Sequence, residues 1–71
     1  MNWQEILKED RSNNKVTIEY IMPDNTTVKL GPFPFDEFDD KYDSIPEEAQ
    51  IGTITEDVYR NGKWVAAKVF N

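Results

Sequence analysis

Seven carboxylates fall between Asp36 and Glu48: Asp36, Glu37, Asp39, Asp40, Asp43, Glu47 and Glu48. Carboxylates this close can move protons, hold a hard cation, or steer a charged partner. Asp36 and Asp40, four residues apart, are the pair to weigh for a glycosidase-like reaction. That chemistry needs a substrate pocket of ~300 Å³ or more. A chain of 71 residues buries only roughly 60% of the surface it exposes when unfolded and offers little depth for one. Histidine and cysteine are both absent. The usual general base and the usual thiol nucleophile are therefore missing, and Ser12 and Ser44 have no histidine to activate them. An enzyme is not expected, and no catalytic residue is assigned.

Cation binding fares no better on spacing. An EF-hand loop needs oxygen ligands at alternate positions, a mid-loop glycine and a closing glutamate, and residues 36–48 contain no glycine. A solvated acidic face is the plainer reading. Neither metal nor cofactor is expected.

What sets the segment apart is that Phe33, Phe35, Phe38 and Tyr42 are interleaved with its carboxylates. Rings surrounded by negative charge can dock on a basic, partly apolar surface, the charges accelerating encounter and the rings supplying binding energy. The candidate partner-binding residues are Phe33, Asp36, Glu37, Asp39, Asp40, Tyr42, Asp43, Glu47 and Glu48. Core duty competes for the same rings, more strongly for Phe35 and Phe38 than for Phe33 and Tyr42, because a short chain has few large apolar residues to spend. A related reading has the carboxylates, extended by Glu56 and Asp57, imitate the phosphates of a nucleic acid in another protein's groove. Tyr59 and Trp64, cross-strand neighbours beside an Asn-Gly turn, form a candidate aromatic platform. Their simpler role is a cross-strand contact worth ~0.2–1 kcal/mol, or packing under an N-terminal helix beside Trp3.

Fourteen acidic against eight basic residues give a net charge of −6, which favours solubility and repels nucleic acid and anionic lipid. No 18-residue apolar run and no basic-then-apolar leader is present, so a soluble, unprocessed protein is expected. The cysteine-free composition makes a reducing cytoplasm the expected compartment.

The elements that must position these residues follow from periodicity. Asn2 and Glu5 have the spacing of a capping box, and Trp3, Ile6 and Leu7 share one face of a short helix over the first ten residues. Asp10 to Asn14 reads as a polar connecting loop. From Val16 the period changes to two, and Pro23-Asp24-Asn25 supplies a three-residue hairpin loop. Pairing Met22 with Thr26 sets Tyr20 opposite Val28, Ile18 opposite Leu30 and Glu19 opposite Lys29. Pro32 and Pro34 are expected to break the strand after Gly31. Phe35, Phe38 and Tyr42 then recur as in a short amphipathic helix, and Pro46-Glu47-Glu48 suits the start of another brief helical piece.

Arg60-Asn61-Gly62-Lys63 is the strongest local signal, a type I′ turn pairing Arg60 with Lys63 and Tyr59 with Trp64. Continued without interruption, the register sets Asp57 opposite Ala66 and Thr55 opposite Lys68. It gathers Ile54, Val58, Val65, Ala67 and Val69 on one face, interrupted by Glu56.

The expected fold is α+β: an N-terminal helix and two antiparallel β-hairpins forming a four-stranded sheet or small open barrel, joined by an acidic, partly helical crossover, all in a single domain, residues 1–71. The expected function is a small acidic, non-enzymatic binding protein. It would be regulatory or inhibitory, of the kind carried by phages and mobile elements, and would engage a protein partner with a basic surface. The alternatives are a structural subunit or homodimer pairing through a hairpin edge, and a nucleic-acid-mimic inhibitor. Direct nucleic-acid or membrane binding is not expected.

Overall fold

The computed structural model of the chain describes residues 11–70. The helix expected around Trp3, Ile6 and Leu7 lies outside the described residues. β1 (Lys15–Ile21), β2 (Thr27–Pro34), β3 (Gln50–Arg60) and β4 (Lys63–Phe70) form one antiparallel open sheet in the order β2-β1-β3-β4. A 3-10 turn, Phe35–Glu37, and a short helix α1, Phe38–Asp43, cross between the hairpins. The molecule is α+β and mostly strand, with the sheet left open and not closed into a barrel. No helix among the described residues is long and apolar enough to cross a membrane.

The first hairpin has the expected register, with Ile18 opposite Leu30, Glu19 opposite Lys29 and Tyr20 opposite Val28. Its loop is closed by the Met22 amide donating to the Thr26 carbonyl at 2.9 Å. Asn25 takes φ 69°, the left-handed conformation that asparagine tolerates better than most residues. Asp24 accepts a bond from the Thr26 amide at 3.0 Å, and hydrogen bonding to Thr26 holds its carboxyl below the ordinary value.

Two expectations need correction here. The prolines do not end β2, which runs through Pro34. β2 is an edge strand, where a residue without an N–H breaks no interior ladder, and an irregularity between Val16 and Ile18 absorbs Gly31 and Pro32. Gly31, at φ +118°, lies so close to β1 that a Cβ on it would sit 2.5 Å from the Val16 carbonyl oxygen. The second correction concerns Pro46-Glu47-Glu48, which forms a single turn, closed by the Ala49 amide on the Pro46 carbonyl at 3.1 Å, and not a helical piece.

In the second hairpin Asn61 (φ 53°) and Gly62 (φ 76°) both take positive φ, as a type I′ turn requires, and Arg60 pairs with Lys63 and Tyr59 with Trp64. Beyond that rung the register shifts by one residue: Val58 faces Ala66, Asp57 faces Ala67 and Thr55 faces Val69. Val65 is the extra residue of a β-bulge, and because side chains alternate with period two, that residue exchanges the faces of everything after it. The face of Ile54 and Val58 therefore continues into Ala66, Lys68 and Phe70, and Val65, Ala67 and Val69 do not form the expected apolar stripe with it.

The core lies on one side of the sheet. Val16, Ile18 and Phe33 are buried together, and Tyr20, Leu30, Phe35, Phe38, Ile45, Ile51 and Ile54 pack around them half-buried. The crossover thus covers the β1 side of the sheet with its own rings.

Candidate functional site: the acidic crossover

Phe35, Phe38 and Tyr42 stack in sequence, with ring centroids 6.4 Å and 5.7 Å apart. Their spacing turns one side of the helical segment toward the core and leaves the carboxylates on the other. Asp36, Glu37, Asp39, Asp40, Asp43, Glu47 and Glu48 are all exposed. One basic residue lies among them: Lys41 reaches Glu37 at 3.9 Å, an exposed pair of small energetic consequence. Ser44 closes α1 by donating its hydroxyl to the Lys41 carbonyl at 2.6 Å. Ile45 then turns back, half-buried, against the core.

The rings of the sequence-derived set divide. Phe33 is 4% exposed, so its ring serves the core and presents nothing to a partner. Tyr42 is 44% exposed and remains available beside the carboxylates. Tyr59 and Trp64 are cross-strand neighbours. Trp64 is open to solvent, and its indole N–H donates to the Asp57 carboxylate at 3.3 Å. They stand on a different part of the sheet from the crossover.

The crossover is moored by residues that the sequence reading passed over as loop. Asn14, fully buried, accepts the Phe35 amide on its backbone carbonyl at 3.0 Å and donates its own amide to the Arg11 carbonyl at 3.0 Å. Its side chain donates from Nδ2 to Glu56 Oε2 at 2.7 Å and accepts the Tyr59 amide on Oδ1 at 3.1 Å. Arg11 closes on the same carboxylate with Nε at 2.9 Å from Oε2 and with Nη2 on Oε1, a two-pronged geometry that suits guanidinium and carboxylate. Its guanidinium carbon also lies 4.1 Å from the Phe35 ring centroid. Burial works to raise the Glu56 pKa, but the hydrogen bonds from Arg11 and Asn14, with the charges of Arg11 and Lys68, outweigh it and hold the carboxyl below the ordinary value. The available signal was parity: Glu56 on an inward face of β3 demands a cation and a donor, and residues 11–14 are where the chain turns back beside it.

The grooves are larger than chain length suggests. One of about 380 Å³ is lined by Arg11, Val16, Phe35, Phe38, Ile54, Glu56 and Phe70. A second, of about 350 Å³, lies between Tyr42, Ile45, Pro46 and Ile51, with Asp43 and Glu47 at its wall. An open one-sided sheet leaves such hollows where side chains of the crossover and the strands do not meet, so volume alone does not exclude a small ligand. Among the described residues lining the first groove, the ionisable side chains are Arg11 and Glu56, and each is engaged with the other. Among the described residues no three carboxylates converge as cation ligands. No family model, curated protein or solved structure matches the chain.

Proposed function

We propose that this chain is a non-enzymatic binding protein that engages a basic protein surface through its acidic crossover, with Asp36, Glu37, Asp39, Asp40, Asp43, Glu47 and Glu48 steering the partner and Tyr42 supplying the ring it meets. One observation carries the reading. All seven carboxylates are exposed on a single segment whose other side is held to the core by Phe35 and Phe38, with Tyr42 stacked on Phe38. A partner therefore meets a preformed field of charge and loses little to ordering it. A regulatory or inhibitory role in the cytoplasm is the finer form of this reading, resting on small size, acidity and the cysteine-free composition.

Affinity capture from lysate of the source cells, at low and high salt, tests it. The control is a variant carrying Asp36→Asn, Asp39→Asn, Asp40→Asn and Asp43→Asn. The expected result is one basic partner, lost both in high salt and in the variant, because a steered complex weakens as charges are screened. A partner held equally by both proteins at either salt would overturn the assignment of the crossover.

A further inference from the structure

The inner face of the sheet is covered unevenly. The helix of the crossover packs toward β2, and Phe35 and Phe38 close over Val16, Ile18 and Phe33. On the β3–β4 half the same face continues through Ile54, Val58, Ala66 and Phe70, bordered by the cations Arg60, Lys63 and Lys68. Ala66 and Phe70 are exposed there. Val58 is only 5% exposed, although it stands outside the cluster of Val16, Ile18 and Phe33 and has an alanine as its cross-strand neighbour. A valine so placed is buried by something other than the crossover.

We propose that residues 1–10 of the same chain dock on this half of the inner face, laying Trp3, Ile6 and Leu7 over Val58 and Ala66 and closing the groove from its Phe70 side. The docking is independent of any partner of the acidic crossover. Path, reach and charge identify the occupant. Arg11 holds Glu56 and lies against the Phe35 ring, both on the inner face, so the chain arrives at the boundary between the covered half and the open one. At 1.5 Å per residue, the helix predicted by the Trp3, Ile6 and Leu7 spacing is about 15 Å long over ten residues. Neighbouring strands lie about 4.8 Å apart, so a segment tethered at Arg11 reaches across β3 and β4. Residues 1–10 carry Glu5, Glu9 and Asp10 against Lys8, opposite in sign to the cationic border they would meet. A second copy docked face to face would instead set Arg60, Lys63 and Lys68 against their own kind. The tether also favours the segment over any separate molecule, since a short connection holds it at an effective concentration on the order of mM.

Nuclear Overhauser contacts in the unmodified full chain, with disulfide trapping, test the proposal. The expected contacts run from the Trp3 ring to the methyl groups of Val58 and Ala66, arise within one molecule and persist on dilution. The chain lacks cysteine, so an introduced pair reports alone. Leu7→Cys combined with Ala66→Cys is expected to close within one chain under mild oxidation, at the same yield over a dilution series. Leu7→Cys combined with Ala67→Cys, the next residue of β4 and on the outer face, is expected to stay reduced. Trp3 without a contact to Val58 or Ala66 would overturn the docking. So would contacts seen only between differently labelled molecules, which would make a second copy the occupant, or equal trapping at Ala66→Cys and Ala67→Cys, which would show a segment with no preferred face.

Discussion

Glu56 is 1% exposed on a strand whose neighbouring inward residues are Ile54 and Val58. An acid there is tolerated because Arg11 and Asn14 satisfy both of its oxygens. Since its carboxyl titrates below the ordinary value, the folded state binds this proton less readily than the unfolded chain. The stabilisation is complete above the ordinary glutamate range and is lost as pH falls through that range to the lowered value. Glu56→Gln keeps the shape but points an amide donor at Arg11 or Asn14, at a cost of ~1–3 kcal/mol near neutrality. Thermal melts over a pH series should show the wild type losing its advantage on acidification and the two proteins converging. Parallel curves would mean that Glu56 is not the group responsible. Parity along β3 makes an inward Glu56 readable from sequence, whereas its partners are not, because Arg11 and Asn14 lie over forty residues away in a stretch whose composition says only loop.

At the scale of elements, the turns were legible and the irregularities were not. Pro23-Asp24-Asn25 and Asn61-Gly62 dictate backbone angles by their own chemistry, and the first rungs beside them follow directly. The bulge at Val65 has no such local signature. It turns Ala66 and Phe70 to the same face as Val58 and Ile54, and period-two reasoning cannot foresee one inserted residue. The same holds for β2, where the edge position makes two prolines acceptable. Gly31 and Gly62 provide a paired test. Both have positive φ, but a Cβ at Gly31 meets the Val16 carbonyl oxygen at 2.5 Å while one at Gly62 meets nothing within 4 Å. Gly62→Ala should cost only the left-handed penalty of ~1–2 kcal/mol. Gly31→Ala should add displacement of β2 from β1 and lower the melting temperature by more, each kcal/mol being worth about 4–8 °C in a domain of this size. Equal losses would show that the close approach of the strands carries no weight.

For the molecule as a whole, charge and stability pull in opposite directions. A net charge of −6 on 71 residues, concentrated in the crossover, repels itself in the folded state. Asp39 and Asp40, in the first turn of α1, are favourably placed against the positive end of the helix, but Asp43 stands in its last turn beside the negative end and four residues after Asp39. A sequence selected for stability alone would place a lysine or asparagine there. If Asp43 is kept for partner binding, Asp43→Asn should raise stability by ~0.3–1 kcal/mol at low ionic strength, while it weakens capture of a basic partner. Molar salt, with a screening length of about 3 Å, should erase the stability difference. The check is a melting-temperature series in salt for the wild type and the variant, set beside their binding at the same salt concentrations. Opposite signs for stability and binding at low salt, both vanishing at high salt, would tie the cost of the acidic crossover to its use. A variant that is more stable and binds equally well would leave Asp43 as part of a solvated face with no share in recognition.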